Sequence, residues 1–157
     1  MVNITKSTDP IRDKDVKREW HFFDASKRIL GRLAPEIVKF LQGKHKTNYV
    51  PYLDNGDYVV VINAKKVRVS GRKAETKIYS SYSGYPSGQK NITFANLLEK
   101  NPAEIIKRAV SGMLPKNKLR DRRLTRLLIY ADDKHPYESK FKSEKLKASL
   151  PAGMVKS

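Results

Sequence analysis

A layered α/β domain is the fold this sequence predicts, and three observations carry the prediction. Tyr58-Val-Val-Val-Ile62 is a continuous apolar run rich in β-branched residues, the pattern of a strand buried on both faces. Leu33, Ile37, Phe40 and Leu41 recur at i, i+4, i+7 and i+8, which lines one face of a helix. Strand-like and helix-like segments then alternate along the chain without an internal repeat, as a sheet covered by helices requires.

The elements follow in order. Residues 1–18 read as a polar extension, and structure begins at the aromatic strand Trp20–Asp24, closed by a turn over Asp24-Ala-Ser-Lys27. Proline is tolerated in a first helical turn, so Pro35 places the start of the first helix at about Ala34 or slightly earlier, and Gly43 is its stop. Val67 and Val69 alternate with polar neighbours as in a half-exposed strand ending at Gly71, and Lys77–Ser80 is a further strand. Ser80–Gln89 is a loop by composition. Thr93 caps a helix that buries Phe94, Leu97 and Leu98. Asn101-Pro102-Ala103-Glu104 reads as N-cap, N1 and N3 of the next helix, whose apolar stripe is Ile105, Ile106, Ala109, Val110 and Met113. Pro115 ends it, Leu124, Leu127 and Leu128 lead into Ile129-Tyr130, and a polar tail is expected from Asp132 onward.

Charge narrows the function. Lys and Arg total 33 against 16 acids in 157 residues, a net charge of +17. Such an excess repels itself unless a polyanion screens it, and each neutralised nucleic-acid phosphate releases counterions. The apolar share of 39% supports a folded centre with polar margins. No apolar run approaches the roughly 20 residues that span a bilayer, and no basic amphipathic helix with an aromatic face suggests a membrane surface. Met1–Glu19 carries four acids and no apolar stretch, unlike a signal or transit peptide. There is no cysteine, which excludes disulfides, thiolate nucleophiles and Cys-based zinc sites.

Catalytic motifs fail. A phosphate-binding loop ending at Gly43-Lys44 would need Gly and Ser or Thr where Val38 and His45 stand. Ser70-Gly-Arg-Lys73 is an S-x-x-K without its partner motifs. His21, His45 and His135 are scattered in the sequence, so no metal site, cofactor or small-molecule substrate is expected.

Three segments fit RNA. The first is Lys44, His45 and Lys46, at the negative end of a helix dipole. The second sets Arg72, Lys73, Lys77 and Lys90 beside Tyr82 and Tyr85, cations for phosphate and rings for unpaired bases. The third runs through Lys116, Asn117, Lys118, Arg120, Arg122, Arg123 and Arg126, with Asp121 as its one internal acid. Met113 is expected in the core, fixing the direction in which this third segment leaves the domain.

Five stretches taken together resemble the bacterial-type large-subunit ribosomal protein thirteen family. They are Trp20–Leu33, Gly43–Lys46, Asp54–Val69, Lys77–Gln89 and Ala109–Leu119, the last containing Gly-Met-Leu-Pro-Lys-Asn. Tyr130 with His135-Pro136 is similar to the family's closing segment, and the likeness covers about residues 16–140. It implies a three-layer α/β/α domain with a four-stranded mixed sheet over residues 19–140, flanked by an extension (1–18) and a basic tail (141–157). It further implies direct binding to large-subunit ribosomal RNA early in assembly, beside neighbouring large-subunit ribosomal proteins, and no catalysis. Ser87 and Arg120 stand where the family commonly has glycine. The acidic start favours a bacterial cytoplasmic ribosome, with the mitochondrial matrix as the alternative. A free RNA-binding regulator, for example of its own message, is the competing functional class.

Overall fold

The computed structural model describes residues 12–138, 140 and 141, so the expectations for residues 1–11 and for the tail beyond 141 lie outside the described residues. The elements are β1 (Trp20–Asp24), α1 (Leu30–Gln42), β2 (Tyr58–Ile62), α2 (Lys73–Thr76), β3 (Ile78–Tyr82), β4 (Gln89–Thr93), α3 (Phe94–Lys100), α4 (Pro102–Met113), α5 (Leu119–Thr125) and β5 (Leu127–Ile129). Within the extension, Asp13–Asp15 form a single 3-10 turn.

The α/β class is as expected, but the sheet is not. Strands β1, β2 and β5 form a three-stranded parallel sheet in that order, with Phe22 opposite Val60 and Val60 opposite Leu128. Strands β3 and β4 form a separate antiparallel pair. The half-exposed strand expected at Val67 and Val69 makes only one bridge, Ile29 to Arg68. Its cause lies just upstream. Asn63 adopts a left-handed φ of 56° and Ala64–Lys66 coil into a 3-10 turn, which takes the chain out of the β2 direction.

One face of the sheet carries Val59 and Val61, which join Leu33, Ile37 and Leu41 of α1 and Ile105, Ile106 and Val110 of α4 in the core. Each fully buried aliphatic side chain of this kind contributes roughly 1.5–3 kcal/mol. The opposite face is covered by rings rather than a helical layer. Trp20 stacks on Tyr58 at 4.5 Å and on Tyr137 at 5.0 Å, and Phe22 meets Phe141 at 5.4 Å. The polar segment after Asp132 therefore folds back on β1 as far as Phe141.

Three local expectations change. Helix α1 begins at Leu30, so Pro35 sits in its second turn. Proline there leaves the carbonyl of Gly31 unbonded, but Gly31 is exposed and water can satisfy it. The gain is burial of Leu30 and Leu33 and a bond from the Leu30 N–H to the Arg68 carbonyl at 2.9 Å. Asn101 stands at the N-cap of α4 with Pro102 at N1, but its side chain makes no cap bond, and Glu104 pairs with Arg108 instead. Met113 is 46% exposed, and Leu114, at 2%, takes the core position. Leu114 leaves the helix in an extended conformation because the residue before a proline disfavours α geometry. That extended step turns its side chain inward.

Candidate nucleic-acid interface

Two acids decide which cations face outward. Asp57, just before β2, is fully buried. Its Oδ1 accepts from the Glu19 N–H at 3.0 Å and from the Lys46 ammonium, and its Oδ2 lies 2.9 Å from His21 Nε2. Burial alone would raise this carboxyl, but the bonds from His21, Lys46 and the Glu19 amide outweigh it and hold the pKa below its ordinary value of 3.8. Lys46 also donates to the carbonyls of Lys17, at 2.7 Å, and Asn55, at 3.2 Å. The sequence-predicted residues His45 and Lys46 thus turn inward, and Lys44 alone of that trio is exposed.

Asp54 does the same for the third segment. Arg126 grips it with both terminal nitrogens, at 2.5 and 2.6 Å, and Arg123 Nε lies 3.6 Å away. Both arginines are buried. Arg120 is half-buried and donates to Ser111 Oγ. The remaining residues of that segment, Lys116, Asn117, Lys118 and Arg122, are exposed.

The turn between α1 and β2 makes these pairings reachable. Gly43 caps α1 with a φ of +77°, and a Cβ there would stand 2.6 Å from the Asn55 carbonyl oxygen. A Cβ on Gly56 would lie 1.8 Å from the Leu41 carbonyl oxygen, so only glycine lets the Asp54–Asp57 loop press against the end of α1.

The second segment stays outward. Lys73 opens the short α2, Arg72 precedes it and Lys77 follows it. All three are exposed, as is Lys90 on β4. Strands β3 and β4 pair Tyr82 with Gln89, so the predicted Ser80–Gln89 loop shrinks to its tip. Tyr82 and Tyr85 are 69% and 76% exposed at that end of the hairpin. Ser87 takes a φ of 59°, a conformation that favours glycine. Tyr79 points the other way, with the Arg108 guanidinium 5.4 Å and the Lys77 ammonium 5.2 Å from its ring centre.

Sequence reasoning missed His21, Asp54 and Asp57. The signal was available: Asp54-Asn-Gly-Asp57 is a pair of acids placed directly before the most apolar strand of a basic chain.

The family model described as Ribosomal protein L13 matches residues 18–136. The large ribosomal subunit protein uL13 of Pelobacter propionicus is 49% identical over 132 residues, covering 84% of this chain and 93% of the relative. That of Thermotoga petrophila is 47% identical over 134 residues, covering 85% and 90%. That of Clostridioides difficile is 49% identical over 123 residues, covering 78% and 86%.

Proposed function

This chain belongs to the ribosomal protein L13 family, and from that premise we propose that it is a structural constituent of the large ribosomal subunit that binds large-subunit ribosomal RNA directly. The RNA-facing residues are Lys44, Arg72, Lys73, Lys77, Tyr82, Tyr85, Lys90, Lys116, Asn117, Lys118 and Arg122. The observation that carries this reading is the contrast in pairing. These cations are exposed, whereas Lys46, Arg123 and Arg126 are engaged by Asp57 and Asp54. Exposed Lys and Arg exchange counterions for phosphates, and the two exposed tyrosines offer faces to unpaired bases.

The protein works by being held in place, supporting subunit assembly beside neighbouring ribosomal proteins. Its relatives named above are bacterial, which favours a bacterial-type cytoplasmic ribosome over a mitochondrial one. Sedimentation in high salt tests the reading. A constituent co-migrates with the large subunit after the wash. Release into the top fractions would instead support a loosely held RNA-binding regulator.

A further inference from the structure

Folding gathers two of the three histidines that are scattered in the sequence. His21 on β1 and His45 beyond α1 both direct Nε2 to the same oxygen, Asp57 Oδ2, each at 2.9 Å. His45 Nε2 lies off the hydrogen-bonding direction, and both of its ring nitrogens are shielded from solvent without a hydrogen-bond partner. One ligand atom from each of Glu19, His21, His45 and Asp57 lies within 4.8 Å of the others. The ring of Phe40 packs on both imidazoles, 4.1 Å from His21 and 4.7 Å from His45, and fixes their orientation. A cavity of about 410 Å³ lined by Lys17, Glu19, His45 and Lys46 opens beside the cluster and gives an ion a path to it.

We propose that His21, His45 and Asp57, completed by Glu19 or water, form a binding site for one divalent cation of the zinc class. The donor set is two imidazole nitrogens and carboxylate oxygen, which suits zinc better than calcium or magnesium. Tetrahedral bonds of about 2.0–2.2 Å separate neighbouring ligand atoms by about 3.3 Å. The two 2.9 Å spacings therefore need to open by only a few tenths of an ångström. Asp57 is arranged for one-oxygen coordination. Its Oδ1 is already taken by the Lys46 ammonium and the Glu19 N–H, the kind of outer contact that orients a ligating carboxylate, and its Oδ2 faces the imidazoles. The ammonium on Oδ1 repels a cation on Oδ2, and Glu19 offsets that repulsion. Weaker binding than at an all-thiolate site follows.

The test uses the full chain, freed of metal by chelator and titrated calorimetrically with zinc chloride alone. One ion per chain is expected, with a rise in melting temperature as zinc is added. Cobalt(II) in its place should give the intense visible bands of four-coordinate geometry. His21→Gln and His45→Gln should each weaken binding at least tenfold, while His135→Gln leaves it unchanged. Absence of stoichiometric binding, the weak spectrum of six-coordinate cobalt, or affinity that survives both His21→Gln and His45→Gln would overturn the site. Should His45→Gln fail to fold, His21→Gln and the cobalt spectrum of the parent decide the matter.

Discussion

The turn that follows α1 and the hairpin made by β3 and β4 carry similar side chains and use them in opposite ways. In the first, His45 and Lys46 close on Asp57, a residue without solvent exposure. In the second, Lys90 is exposed on β4 and Tyr82 and Tyr85 are exposed at the hairpin tip, while Lys77 is exposed at the other end of β3 with its ammonium 5.2 Å from the Tyr79 ring. What separates them is a carboxylate brought from elsewhere in the chain. A basic residue near a buried acid becomes part of the fold, and one without such an acid stays available to phosphate. The same rule divides the third segment, where Asp54 claims Arg123 and Arg126 and leaves Lys116, Lys118 and Arg122 outside.

Removing the acid should have the largest effect. Asp57→Asn leaves the Lys46 ammonium, only 18% exposed, without its counter-charge. Loss of one partner of a buried pair costs about 3 kcal/mol or more. Urea denaturation should therefore show a marked fall in midpoint, with RNA affinity retained wherever the variant is folded. The pH dependence has the matching sign. The folded Asp57 carboxyl titrates below its ordinary value of 3.8, so its stabilisation is complete above that value and is lost as pH falls through the folded pKa. The parent should lose stability on acidification more steeply than Asp57→Asn. Equal acid profiles would show that the carboxylate does not hold the turn.

The next effect reads the other half of the comparison. Arg72→Ala, Lys73→Ala and Lys90→Ala together change exposed residues, each costing under about 0.5 kcal/mol of stability. RNA affinity should weaken, and its logarithmic salt slope should become shallower by about 3, one unit for each lost phosphate contact. Arg123→Ala with Arg126→Ala should do the opposite, lowering stability with no change in salt slope. If the buried pair altered the slope and the exposed trio did not, the assignment of inner and outer cations would be reversed.

Much of the fold could be read from the sequence, and the failures share a physical cause. The apolar run of β2, the αL stop at Gly43 and the threonine cap of α3 were legible because each depends on neighbouring residues alone. Within Lys116–Arg126 the sequence offers Asp121 as the one acid for six cations. Asp54, 72 residues away from Arg126, was invisible to that count. Pro35 misplaced the start of α1 because a local rule about proline yields to the burial of Leu30 and Leu33. The strand expected at Val67 and Val69 failed for a similar reason, since their alternation says nothing of the turn that Asn63 imposes before them.

The tyrosines give a smaller and more selective effect. Base stacking on an aromatic ring is worth about 1–3 kcal/mol for each base and carries no charge. Tyr82→Ala or Tyr85→Ala should weaken binding to single-stranded RNA while leaving the salt slope as in the parent. Tyr79 offers an internal control, since it is half-buried against Arg108 rather than displayed. Tyr79→Ala should act on the melting temperature before it acts on RNA. An affinity loss at Tyr79 equal to that at Tyr82 would mean that the hairpin's two ends are used alike.

The smallest effect concerns two adjacent apolar residues that the helix end divides as the acids divide the cations. Met113 completes the spacing of Ile105, Ile106, Ala109 and Val110, yet it is 46% exposed. Helix α4 stops there, and Pro115 forces Leu114 into an extended conformation that carries its side chain inward, leaving it 2% exposed. Met113→Ala removes a side chain that is 46% exposed, so its cost should stay at about 1 kcal/mol. Leu114→Ala opens a cavity in the core and should cost about 2–5 kcal/mol. Thermal melting of the two variants side by side separates them. Equal losses would place Met113 in the core and restore the periodicity argument. A clearly larger loss at Leu114 would confirm that the proline, by ending the helix one residue earlier, chooses which side chain anchors the exposed Lys116–Lys118 turn.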